Sequence, residues 1–522
     1  MTRARAARLA GAIASGLALA LARPPADLGP LALVALVPLF VAWRGRPARG
    51  RAGLAFVGGV VYFGTLVSWA WYFGPIAVVP LVAVLAASWA LVGAGVGLAD
   101  RLGIRSPWST AALWVVGEAI VARFPLRGLS WGEVGYALHD VPVARAVASV
   151  GGVPAVSFLV VALNALVADA VVARRAPAAG RAARRAGAGA ALVGLVVVAA
   201  LVLRVETEPA GELRVAVLQG NDRNRDLTRA EREARYLPNS HFGLAARVRD
   251  PVDLIVFPES SLDEDPRTDD ELGARVARTA VEHDAWVLVN ATADGPDPRT
   301  EASNLNVLYD PDGEVAGTYA KRHLVPYGEY VPFGAVLRPL IPVLDEEIPR
   351  DHVPGGRAGL FDLDGVRVAT VICFESVFGH EVRPLVRDGA EVIVVSTNNR
   401  SYRRSANSAQ HLAIGQMRAA ETGRPLVQAA ISGISAFVDA DGDVHATTDL
   451  FERTTLEATV TPHTGETLYV RFGEWVLWGS VAGLVAAAAA RLIGRRGRSV
   501  ESGGTDEVPA PAAAGAPPGD PR

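Results

Sequence analysis

The chain has 522 residues, half of them hydrophobic, a formal net charge of −3 and a single cysteine, Cys373. The length allows two or more domains, a lone cysteine excludes an intramolecular disulfide, and the near-neutral balance gives no reason to expect a nucleic-acid partner. Of 51 basic residues only Lys321 is a lysine, which makes that position stand out against a strong arginine bias.

In chain order, seven apolar stretches precede residue 205, at about 7–22, 29–43, 52–72, 75–97, 108–123, 145–173 and 187–203, and an eighth runs from Glu474 to Ile493. Several reach the roughly 20 residues a helix needs to cross a hydrocarbon core. The first, second and fifth are short, and 29–43 also suits a re-entrant segment. Arg3, Arg5 and Arg8 lead the chain. RGRPARGR, DRLGIRS, ARRAPAAGRAARRAG and RRGR then fill the even-numbered connections and the C-terminal flank, while opposite loops such as 124–144 are poorer in arginine. The positive-inside rule puts both termini in the cytoplasm and 205–473 on the outer face. For the first stretch, a cleavable signal peptide ending near Ala22 is the alternative, and it leaves that side unchanged. The tail from Ser499, rich in Pro, Ala and Gly, reads as disordered.

From residue 213 short β-branched runs alternate with polar helical stretches. LRVAVLQG (213–220), VDLIVFPES (252–260), WVLVNAT (286–292), VRVATVICF (366–374) and AEVIVVSTN (390–398) read as buried strands. Residues 228–249, 268–283 and 405–422 have helical character, the last stopping before Gly423 and Pro425. Asp312-Gly313 and Asp441-Gly442 are hairpin signals. The alternation predicts an α/β sandwich layered over a central sheet.

Glu259, Lys321 and Cys373 stand at strand ends or just past a hairpin, where active-site groups of α/β sheets gather. A thiol at a helix start near a lysine is expected to have a lowered pKa. A glutamate can take its proton, and a lysine can stabilise an oxyanion. Bland readings also fit: a cysteine serving as a small core hydrophobe, a glutamate in a surface turn and a solvated hairpin lysine. Spacing alone leaves both sets open. The histidines, including His323, His380 and His411, have no metal-ligand spacing.

The segments VFPESS, YAKRHLVPYGEYVPF and ICFES resemble the nitrilase superfamily. PYGEYVPF, QGN (219–221), RAAETGRPLVQA and SGISAFVDADG are similar, more narrowly, to the bacterial apolipoprotein N-acyltransferases, over nearly the whole chain to about residue 495. The resemblance implies a polytopic membrane domain of about eight helices plus an extracytoplasmic nitrilase-like α-β-β-α sandwich. The expected division is 1–205 as seven transmembrane helices, 206–466 as the catalytic domain, 467–496 as the eighth helix and 497–522 as a disordered cytoplasmic tail. By resemblance Glu259 is the general base, Lys321 the oxyanion lysine and Cys373 the nucleophile, with Glu329, Phe374 and Glu375 in support. The implied reaction is ping-pong: Cys373 takes an acyl chain from a membrane phospholipid and passes it to the α-amine of a diacylglyceryl-cysteine on an apolipoprotein. No metal or diffusible cofactor is implied, and the expected state is a monomer in the cell membrane.

FGAVLRPLIPVL (333–344) is apolar and proline-broken, and suits a lid dipping into the lipid interface or ordinary core. Two stretches depart from the family: NDRNRDLTRAERE lacks the tryptophan common after QGN, and NNRSYRRSANSAQH carries Arg400, Arg403 and Arg404 in place of an aromatic-rich loop. Those arginines suit a phosphate grip or a solvated face. Two other readings keep the same residues: a membrane-tethered amidase and an idle membrane scaffold.

Overall fold

The computed structural model describes residues 2–174, 179–223, 228 and 235–501. The first part is helical: α1 (Arg3–Leu21), α2 (Ala32–Ala35), α3 (Val37–Ala42), α4 (Ala48–Leu66), α5 (Pro75–Leu102), α6 (Pro107–Val121), α7 (Pro142–Ala173) and α8 (Ala179–Leu203). Five helical segments among the described residues are long and apolar enough to cross a membrane: α1, α5, α7, Arg184–Leu203 and Trp475–Gly494. α4 opens on ARGR, and α6 has only 15 residues.

The stretch 29–43 is not one helix. A 3₁₀ turn at Gly29–Leu31 leads into α2 and α3, and Pro38 lies at the break. Proline removes a donor and prevents a continuous ladder, so nearby backbone groups need other partners. Leu36 N donates to Asn164 Oδ1 at 2.8 Å and Leu39 N to Ser15 Oγ at 2.9 Å. Broken backbone at membrane depth is tolerated when neighbouring helices supply such partners. Since Ser15 is one of them, α1 is built into the bundle. α7 breaks similarly at Gly151-Gly152, ahead of Pro154. Gly152 has φ 70°, and a Cβ there would lie 2.6 Å from the Tyr469 ring.

The second part holds β1 (Leu213–Gln219), β2 (Leu254–Val256), β3 (Trp286–Asp294), β4 (Glu301–Tyr309), β5 (Val315–Ala320), β6 (Leu360–Leu363), β7 (Val366–Ile372), β8 (Val392–Thr397), β9 (Leu426–Ala430), β10 (Ala436–Val438), β11 (Val444–Thr447) and β12 (Thr454–Val460). They form two sheets, as the resemblance implies and in place of the one central sheet suggested by the strand pattern, ordered β12-β1-β2-β3-β4-β5 and β11-β10-β9-β8-β7-β6, with Asp351–His352 added beside β4. In each sheet a parallel core, β1-β2-β3 or β7-β8-β9, is flanked by antiparallel strands. Strand alternation explains the layering. Val215 and Val217 of β1 meet Val392 and Val394 of β8 between the sheets, whereas Ala216 and Leu218 face an outer helical layer.

The outer layers are α9 (Tyr236–Ala245) and α10 (Asp270–His283) on one sheet, and α13 (Gly379–Arg387) and α14 (Asn407–Thr422) on the other. Two short helices, α11 (Gly334–Leu340) and α12 (Val343–Glu347), lie between β5 and β6, and α15 (Leu468–Phe472) precedes α16 (Trp475–Glu501). The expected helix at 228–249 is α9 at its C-terminal end, and 229–234 lie outside the described residues. The tail expected to be disordered from 497 begins instead as helix, since α16 runs to Glu501; 502–522 lie outside the described residues.

α14 joins the two parts. Its Gln410 is 1% exposed and donates to the carbonyls of Pro24 and Leu66, while Trp69 and Trp131 donate to its side-chain oxygen. Farther along, Arg418 donates to Tyr136 Oη at 2.8 Å and Gln416 meets His139 at 2.7 Å. Glu474 receives Arg123, and Trp475 donates to Val150 O, so α16 closes on α6 and α7.

Candidate active site

Each residue of the expected triad sits where a strand stops. Glu259 follows β2, Lys321 follows β5 directly, and Cys373 follows β7 and opens a five-residue 3₁₀ turn, Cys373–Val377. Cys373 has φ 51°, the left-handed region that strains a side-chain-bearing residue and presents it at a sharp strand-to-helix turn. The turn is tied down from both sides: Ser376 Oγ donates to Cys373 O at 2.8 Å and meets His411 Nε2 at 2.7 Å.

Lys321 is 1% exposed and lies between two buried carboxylates. Its Nζ is 3.2 Å from Glu259 Oε1 and 2.9 Å from Glu329 Oε1. Asn304, on β4, bridges the same two oxygens at 2.7 and 3.0 Å. The other oxygens take backbone donors, Asn398 N onto Glu259 and Val325 N onto Glu329, both at 2.7 Å. With every carboxylate oxygen satisfied, a buried cluster of this charge is tolerable. Burial opposes the Lys321 ammonium, but the Glu259 and Glu329 carboxylates outweigh it and hold its pKa well above the usual value.

Cys373 is half-buried, and its thiol runs against the expected direction. Burial, then the Glu259 charge, pushes it up to about 12, although Lys321 and hydrogen bonds from Thr397 and Asn398 pull the other way. A one-turn 3₁₀ helix offers little dipole, and Lys321 is already neutralised by two carboxylates. The resting thiol is therefore protonated at neutral pH, beside a carboxylate and an ammonium. Such a set can do nucleophilic acyl chemistry in which the proton moves only as the nucleophile attacks.

Residues 214–469 match the family model described as carbon-nitrogen hydrolase, and 15–166 match the apolipoprotein N-acyltransferase N-terminal domain. An apolipoprotein N-acyltransferase of Geobacter metallireducens is 30% identical over 494 residues, covering 92% of this chain and 94% of that protein. The chain belongs to the apolipoprotein N-acyltransferase family. One from Gloeobacter violaceus is 31% identical, with 93% and 95% covered. Among solved structures, a Saccharomyces cerevisiae nitrilase-superfamily protein aligns at 13% identity and a TM-score of 0.39, covering 49% of this chain and 93% of its own.

Relative to the site expected from the apolipoprotein N-acyltransferases, Glu329 joins Glu259 and Lys321 directly, whereas Glu375 and Phe374 do different work. Glu375 accepts from Tyr319 Oη, Ile372 N, Arg322 N and His323 N at 2.7–3.1 Å, splinting the Lys321 segment to the Cys373 turn. Burial raises its pKa. Phe374 packs edge-on to His323 and Phe378, against the apolar core of the helical bundle. The arginines of the 400–404 loop are engaged: Arg400 reaches Asp222 O, Arg403 lies over Tyr72 and Arg404 over Phe451. Tyr402, between them, packs edge-on to Trp69 and Phe73, within electrostatic reach of Cys373, Lys321 and Glu259. Part of the departing loop after QGN, 224–227 and 229–233, lies outside the described residues.

The sequence reading missed Asn304 and the ladder behind it. Asn290 donates to Asn304 and Asn306, each at 2.8 Å, and Asn306 donates to Thr370 on the other sheet at 2.7 Å. The available signal was three asparagines on β3 and β4, which are poor strand formers kept in otherwise apolar runs.

Proposed function

We propose that this chain moves an acyl group from a membrane phospholipid to the α-amine of a diacylglyceryl-cysteine on an apolipoprotein, through a thioester on Cys373. The observation carrying this reading is a thiol on a strained turn that feels the charges of Glu259 and Lys321, with Lys321 held between Glu259 and Glu329, in a domain docked on an apolar helical bundle. In the first half-reaction Glu259 takes the thiol proton as sulfur attacks the ester carbonyl. Lys321 Nζ balances the oxyanion; the C–S bond forms, the C–O bond breaks, and Glu259 returns the proton to the departing lysophospholipid oxygen. In the second, the amine attacks the thioester, Glu259 takes its proton, the C–N bond forms and the C–S bond breaks, and Glu259 passes the proton to the departing sulfur to regenerate the thiol. Glu329 and Asn304 hold Lys321 and Glu259 in register.

In this reading 1–205 and 467–496 cross the membrane in eight passes, both termini are cytoplasmic, and 206–466 face outward as a monomeric enzyme. Support comes from the arginine-rich connections and from the docking of the catalytic part at one end of the bundle. α11 supplies the lid: Phe333, capping its start, is 73% exposed and Leu340, on the helix, 72%, an apolar surface suited to lipid.

The deciding experiment is peptide mass spectrometry of membrane-purified protein incubated with phospholipid and no acceptor. A hydroxylamine-sensitive acyl mass on the Cys373 peptide, absent in Cys373→Ala, is expected. Its absence across several phospholipids, in folded protein, would refute the thioester.

A further inference from the structure

The bundle end remote from the catalytic domain carries a second polar site. The catalytic part docks at the C-terminal ends of α1, α4 and α6 and at the N-terminal end of α7. A cavity of about 160 Å³ lies at the opposite ends, where α3 stops, α4 starts, α5 stops and α6 starts. That is room for more than one water at roughly 30 Å³ each. Arg44, Arg51 and Arg105 line it with Asp100 and Asp169, an excess of one positive charge.

The three guanidinium groups are not equally committed. Arg51 is 4% exposed and fully engaged, on the carbonyls of Arg46 and Val96 and on Asp100. Arg44 pairs with Asp169, whose Oδ1 takes no hydrogen bond, and the Arg44 Nε is also buried without a hydrogen-bond partner. Trp43 lines the cavity at 3% exposure, and its indole Nε1 is likewise without one. Arg105 reaches its carboxylates only at 3.6 and 3.7 Å, beyond hydrogen-bond distance. Donors left unmatched around a cavity of net positive charge call for an acceptor-rich anion. Arginine forks suit phosphate oxygens, and basic pockets between membrane helices take lipid headgroups.

We infer that this cavity binds a phosphate group, carried by an acidic phospholipid of the leaflet opposite the catalytic domain or free in solution, held by Arg44 and Arg105 with the Trp43 N–H. It is separate from the acyl-donor site.

The test is native mass spectrometry of the full chain in detergent, counting retained phosphatidylglycerol against phosphatidylcholine. The wild type should retain phosphatidylglycerol selectively. Arg44→Gln with Arg105→Gln should lower that retention about 25-fold, a factor of roughly five for each arginine. Asp169→Asn should raise retention several-fold, because it removes a competing carboxylate; it decides the matter alone if the double variant fails to fold. Displacement by millimolar inorganic phosphate would assign the site to free phosphate, and retention against it to the lipid. Equal retention of the two lipids with no effect of phosphate would overturn the inference. So would occupancy unchanged by Asp169→Asn and by a folded double variant.

Discussion

Glu259→Gln should move two properties of Cys373 in opposite directions. The Glu259 charge helps hold the thiol at about 12, and removing it also leaves Lys321 less neutralised, so the thiol should become more acidic. A neighbouring charge within about 4–6 Å typically shifts a pKa by 1–3 units; taking about 1–2 here, the thiolate fraction at neutral pH rises about 10- to 100-fold. Thiolate nucleophilicity falls with pKa with a Brønsted slope of about 0.4–0.5, leaving a net gain of about 3- to 10-fold. Alkylation of hydroxylamine-treated protein by iodoacetamide, followed on the Cys373 peptide, measures this. Acyl-thioester formation on the same protein should fall by about 10²–10⁴, the usual worth of a general base. Slower or unchanged alkylation would mean that Glu259 does not hold the thiol protonated, and unchanged acylation would remove it as the base.

Lys321→Met leaves Glu259 and Glu329 facing each other without a cation, and should destabilise the fold by about 3–5 kcal/mol in denaturant titration; Lys321→Arg should fail to restore acylation, because a planar fork does not fit a site built for an ammonium. Burial lowers the His411 imidazole to about 4 from the usual 6.5, so the unfolded chain binds that proton first as pH falls. The stability involved is fully present above pH 6.5 and is lost on the way down to about 4, by at most about 3 kcal/mol; His411→Gln should shallow the acid limb of a Tm-against-pH curve, leaving the part due to His241, which is lowered in the same way. Val336→Asp with Leu340→Asp, both on the exposed face of α11, should cut acylation from bilayer phospholipid while leaving Tm unchanged; equal turnover would exclude the lid. Asn304→Leu removes both bridging hydrogen bonds and should lower Tm and acylation together, since two buried carboxylate oxygens lose a donor.

What was legible in the sequence is what depends on local pattern. The apolar stretches, the β-branched strands and the sharp stops at Glu259, Lys321 and Cys373 all express a period or a boundary. The two-sheet layering came from the resemblance and not from the strand pattern, because buried strands of either sheet read alike, as the runs in β1 and β8 do. The break at 29–43 was partly visible in Pro38, but Ser15 and Asn164, which make it tolerable, come from helices far along the chain. The thiol's direction was misjudged for a similar reason. A helix start and a lysine are local signs, whereas burial and a second carboxylate on Lys321 exist only after folding. α14 was readable as a helix, yet not as the seam between the two parts, because Gln410, Gln416 and Arg418 look like solvent residues until their partners are placed.

The insertion of the catalytic part between α8 and α16 also changes its unfolded state. Residues 204–467 leave and re-enter one bundle, so when the sandwich melts its ends stay pinned and the chain is a closed loop of about 260 residues rather than a free coil. Closing a loop of that length costs on the order of 5 kcal/mol of chain entropy, and while the helical bundle stays folded the sheets do not bear that cost. Severing the chain near residue 205 or 466 would therefore weaken the sandwich even if every contact inside it survived.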